Sequence, residues 1–204
     1  MRTAEDAPPA ARAARLELLA AVQDRHHAYD SLVTFWRRLL APIPAAMFDG
    51  FVAMNIPELP IDPAPRHVLA YAELATRITD PALTVAMSRQ LWRTNPTGIH
   101  DKRALVTAVA EVCETVDSLV ATGCEPRPGP ELDRFIGAHA AARHERDTPR
   151  LRRQLLDDAT DTDPGIHRYW KLTTEITGTT TSGAAQYWIY QALAKWADPA
   201  TPRR

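Results

Sequence analysis

The run "DKRALVTAVAEVCETVDSLVATG", Asp101–Gly123, reads as an amphipathic helix from end to end. Leu105, Val109, Val112, Cys113, Val116, Leu119 and Val120 return at steps of three and four residues, the period of one helix face. Asp101 stands where an N-cap belongs and Gly123 where a glycine stop belongs. The same period extends outward on both sides, and alternating strand patterns are missing. The chain is therefore expected to be all-α, a multi-helix bundle of about eight to nine helices in one domain over 1–204.

Toward the N-terminus, Leu18, Val22, His26, Tyr29, Val33, Trp36 and Leu40 trace a long first helix of about 35 Å, halted by "APIP" at Ala41–Pro44. "PAAMFDGFVAMNIP" gives a short second helix closed by Pro57, and "ELPIDPAPR" is too rich in proline for regular structure. "RHVLAYAELATRI" follows with Val68, Tyr71, Ala72, Ala75 and Ile78 on one face. Asp80 and Pro81 open "ALTVAMSRQLWRT", and "NPTG" turns the chain. Toward the C-terminus, "EPRPGP" is a stiff loop and a candidate subdomain boundary near 123–130. Leu132, Phe135, Ile136 and His139 align on the next helix, with "AARHERDTPRLRRQ" expected as its charged, solvated far end. Asp163 and Pro164 start another helix that Gly178 stops. After "TTTSG", Ala185, Trp188, Ile189, Ala192, Leu193 and Trp196 stripe the last one.

The 204 residues, 45% of them hydrophobic, suffice for a real core. A net charge of -1, from 24 basic and 25 acidic side chains, supplies no field for a polyanion, so no nucleic acid is expected to bind this chain alone. No apolar run reaches membrane-spanning length, and no export signal is legible. Cys113 and Cys124 lie outside any metal-binding pattern and are expected to be reduced in a cytoplasmic protein.

Chemistry is sparse. There is no nucleophile elbow or glycine-rich phosphate loop, the seven histidines lack ligand spacing, and no metal or cofactor is expected. His26 and His139 differ from the rest by falling on apolar stripes, where each is either a satisfied core histidine or a polar contact at the bottom of a pocket. Five tryptophans and five tyrosines sit on amphipathic helices. Such residues usually build core, but their large apolar surface and polar tip also suit a cavity for a flat hydrophobic ligand. On that second reading Trp170 packs in the core and backs the pocket, while Tyr169 and His167 reach the ligand across from Tyr71, Trp92 and Trp188.

"DPGIHRYWKLTTEITG" at Asp163–Gly178 and "AAQYWIYQALAKWA" at Ala184–Ala197 resemble the last two helices of many actinobacterial MerR-type transcription regulators. "DSLVTFWRRLLAPIPAAMFDGFVAMNIPE" at Asp30–Glu58 resembles the stretch after their dimerisation helix. The likeness runs from about Ala11 to Ala197 and rests on pattern rather than on a strict motif. It implies an effector domain of the TipA-like antibiotic-binding class in the broad sense, and a homodimer formed through the first helix. Two features depart from it. No winged helix-turn-helix can be built from Met1–Gln23, and "TGTTTSG" stands where the regulators carry Gly-Trp-Pro. The resemblance implies a stand-alone protein binding a hydrophobic natural product. The alternatives are a biosynthetic cyclase or isomerase on the same scaffold, and a helical partner of another regulator.

Overall fold

The computed structural model describes residues 25–41, 43–60, 62–93 and 98–198, the side chain of residue 25 excepted. Among them are nine helices and no strand. They are α1 (Arg25–Leu39), α2 (Ala45–Asn55), α3 (Pro65–Arg77), α4 (Pro81–Trp92), α5 (Lys102–Ala121), α6 (Pro130–Ala142), α7 (Pro149–Asp157), α8 (Pro164–Thr177) and α9 (Ser182–Ala197).

Helix ends follow local chemistry. Asp80 accepts from the Ala82 amide at 2.8 Å and Asp101 from Ala104 at 2.8 Å. Asp163 Oδ1 takes the Gly165 and Ile166 amides at 2.7 and 3.2 Å. These carboxylates satisfy amides that the first turn leaves orphaned. Gly178, at φ 70°, ends α8 in the left-handed region that glycine enters without steric cost.

Two apolar clusters form the interior. One gathers α1–α4 with α8 around Leu32, Trp36, Phe48, Leu74 and Met87. The other gathers α5, α6, α7 and α9 around Val116, Leu132, Phe135, Leu155 and Ile189. Val109 of α5 packs against both. The loop after Gly123, read from sequence as a candidate boundary, joins α5 to α6 inside the second cluster.

Two expectations are corrected by packing. The charged run after His139 does not continue α6. Arg143 is buried, His144 adopts φ 56°, and Thr148 with Pro149 starts α7, whose Leu151 and Leu155 are buried in the second cluster. The proline and two leucines four apart override the helix-compatible charges. On α1 the buried face is Ala28, Leu32, Phe35, Trp36 and Leu39, so His26 is exposed instead of lying on the inner stripe. Apolar residues occupy more than one face there, and the helices packed against α1 decide which turns inward. The part of the long helix before residue 25 lies outside the described residues.

Candidate functional site

A groove of about 390 Å³ lies where α8 meets α9, with the end of α4 and the loop before α8 as its floor. Its position follows from one glycine. A Cβ on Gly183 would stand 2.1 Å from Cγ of Trp170, so the indole lies directly on the first turn of α9, at a distance only a residue without a side chain permits. Trp170 Nε1 donates to Gln90 Oε1 at 3.3 Å, which fixes the ring's orientation. Tyr187 and Ile166 add further apolar wall, and the exposed His167 ring packs edge-on against Tyr187 at 4.6 Å. Lys171 and Glu175, both exposed, line the outer part.

Below the indole is a buried polar network. Gln90 Nε2 donates to Asp161 Oδ1 at 3.2 Å, and Arg93 grips the same carboxylate through both terminal nitrogens, Nη2 at 2.9 Å. Arg93 and Asp161 are each 1% exposed. Arg93 sits just past α4 at φ 58°, a left-handed conformation that turns its side chain into the interior. Next to it, Arg143 donates to the Trp92 carbonyl at 2.6 Å and to the His139 carbonyl at 2.9 Å, and its Nη1 lies 3.0 Å from His139 Nδ1. A guanidinium can only donate, so Nδ1 is the acceptor and the neutral imidazole carries its proton on Nε2, which is buried without a partner among the described residues. Burial, and then Arg143 and Arg93, hold the His139 pKa well below the usual histidine range.

These bonds determine what the groove can offer. Asp161 is committed to Arg93 and Gln90, and the Trp170 N–H to Gln90, so neither serves as an acid or base. The groups left for a ligand are the aromatic faces, the His167 imidazole, Lys171, Glu175 and the hydroxyls of Thr174 and Thr181. Thr181 lines the groove, is 2% exposed, and has an Oγ1 with no hydrogen-bond partner among the described residues. Such a hydroxyl is costly to bury unless something meets it.

The eight residues singled out from sequence are dispersed. Only His167 and Trp170 line this groove. Tyr169 is fully buried, and its hydroxyl accepts from Trp36 Nε1 at 2.6 Å; burial pushes its pKa up. Tyr169 is therefore core and does not reach the groove, whereas Trp170 packs in the first cluster and also backs the groove. Tyr71 is 1% exposed in the first cluster, its pKa pushed up to about 12 mainly by burial. Trp188 packs in the second and donates to the Cys124 carbonyl at 2.8 Å. His139 belongs to the polar network, His26 is exposed, and Trp92 lines a different groove. Gln90, Asp161, Thr181, Gly183 and Tyr187 were missed. Gly183 had the only readable signal, a glycine in the first turn of a helix, where it lowers helix stability unless close packing needs it. Comparison with family models, with curated proteins and with solved structures finds no match.

Proposed function

We propose that this chain is a small-molecule-binding protein that takes a flat, hydrophobic ligand of natural-product type in the groove between α8 and α9. The observation that carries this reading is the seating of Trp170 on Gly183. An indole pressed on helix backbone and locked by Gln90 is a rigid apolar wall, and it has the unpartnered Thr181 hydroxyl in the same groove. The volume falls in the usual range for small-molecule sites. The resemblance to MerR-type effector regions supports the same kind of ligand.

The test is a titration of tryptophan fluorescence with planar aromatics such as flavone, acridine and 2-naphthol, on the parent and on Ala184→Leu and Tyr187→Ala. Saturable binding by the parent, weakened by filling the groove at Ala184 and by removing the Tyr187 ring, is the expected result. Binding that both variants keep, or no binding in the parent, refutes the assignment. A biosynthetic isomerase or cyclase on the same groove is the second reading, favoured by the exposed His167 imidazole on its wall. Product formation abolished by His167→Gln with ligand affinity unchanged would select it.

A further inference from the structure

We propose that a second groove, between the end of α1 and the outer face of α4, binds a small organic phosphate. It encloses about 460 Å³ and shares no lining residue with the α8–α9 groove, so it stands or falls independently of that reading. Thr84, Val85, Ser88, Arg89 and Trp92 recur at the spacing that puts them on one face of α4. Arg38 and Leu39 from the last turn of α1 also line the groove, as does Lys102, the first residue of α5.

The charge distribution gives the ligand class. Five arginines elsewhere, Arg37, Arg77, Arg93, Arg152 and Arg168, each lie against a carboxylate. Among the described residues Arg38, Arg89 and Lys102 have no carboxylate partner and no acidic side chain lines the groove. In a chain with net charge -1, three cations without a carboxylate partner among the described residues thus line one concavity. Two guanidiniums and an ammonium match a phosphate dianion better than a single carboxylate, since arginine meets phosphate oxygens in pairs and lysine adds a point charge. The groove is also apolar. Val85, at 60%, is one of two exposed large hydrophobic side chains among the described residues, and the Lys102 ammonium lies 5.6 Å from the centroid of the Trp92 ring. Inorganic phosphate leaves Val85 uncovered. A phosphate ester with a ring-sized apolar body satisfies both halves, and a single concavity does not track an extended nucleic-acid backbone.

Calorimetric titration at low salt with phenyl phosphate, inorganic phosphate, phenol and a single-stranded oligonucleotide tests this, on the parent and on Arg38→Gln/Arg89→Gln. Both arginine side chains are exposed, so the double variant should fold, and its melt checks that. Phenyl phosphate is expected to bind saturably, with phenol and inorganic phosphate each about tenfold weaker or worse, and the double variant is expected to lose about tenfold or more. Val85→Asp, a separate variant, should weaken phenyl phosphate while the melt stays near that of the parent. Equal affinity for inorganic and phenyl phosphate, binding unchanged in the double variant, or an oligonucleotide that binds where phenyl phosphate does not would each overturn the proposal.

Discussion

Replacing Gly183 by alanine should destabilise the protein even though alanine favours a helix. The added Cβ would meet Trp170 Cγ at 2.1 Å, Cδ2 at 2.2 Å and Cδ1 at 2.4 Å. Cγ is the ring atom bonded to the tryptophan's own Cβ, so a small swing of the side chain cannot clear the clash, and the indole must leave its rotamer or α9 must shift. Overpacking of this kind costs about 1–3 kcal/mol. Losing the Trp170–Gln90 bond adds about 1 kcal/mol, while replacing glycine in a helix returns about 0.5–1 kcal/mol. The net is a loss of about 2 kcal/mol, which for a domain of this size lowers Tm by roughly 4–8 °C. Gly137 supplies the internal control. It lies within α6, is exposed, and has nothing within 4 Å of an added Cβ. Gly137→Ala should therefore stabilise by about 0.5–1 kcal/mol. Urea denaturation followed by circular dichroism gives both free energies, and the near-ultraviolet spectrum reports the Trp170 environment. If Gly183→Ala matches Gly137→Ala in sign and leaves the aromatic spectrum of the parent unchanged, the close packing inferred here is wrong.

Three further perturbations probe the interior. Removing one member of the buried Arg93–Asp161 pair, as in Asp161→Asn, should cost about 3–5 kcal/mol in urea denaturation, because it strands a charge; a loss under about 1 kcal/mol would mean that water reaches the pair. Tyr169→Phe should lose about 1–3 kcal/mol by orphaning the Trp36 N–H without altering ligand affinity in the α8–α9 groove; weaker binding at full stability would return Tyr169 to the site. His139 has a folded pKa below its unfolded value. Its stabilising effect is therefore complete above the unfolded pKa of about 6.5 and drains away as pH falls below it, by at most about 1.4 kcal/mol per pH unit. Asp117, its pKa pushed up to about 6 chiefly by burial, contributes with the opposite sign, so the comparison of parent with His139→Gln between pH 7.5 and 5 isolates the histidine. Parallel stability curves for the two proteins would refute its neutral burial.

The helices were legible in the sequence because their causes are local. Asp80, Asp101 and Asp163 cap the amides immediately after them, Gly178 ends α8, and the Leu105–Val120 stripe needs only a period to be seen. Where local signals competed, the reading failed. The 143–148 run holds helix-compatible charges, and the break is set by Pro149 and the burial of Leu151 and Leu155, with Arg143 reaching the Trp92 carbonyl across the bundle. The candidate site was mostly illegible for the same reason. Adjacent residues of a helix diverge by about 100°, and nothing in "RYW" tells which ring is to meet Trp36 and which is to lie on α9. Tertiary packing decided that, by placing the Tyr169 hydroxyl under the Trp36 N–H and a residue without a Cβ beneath Trp170. Composition showed a neutral chain; only the folding of α1, α4 and α5 against one another brings Arg38, Arg89 and Lys102 to one groove, since charge separated along the sequence acquires a local field only when the backbone closes the distance.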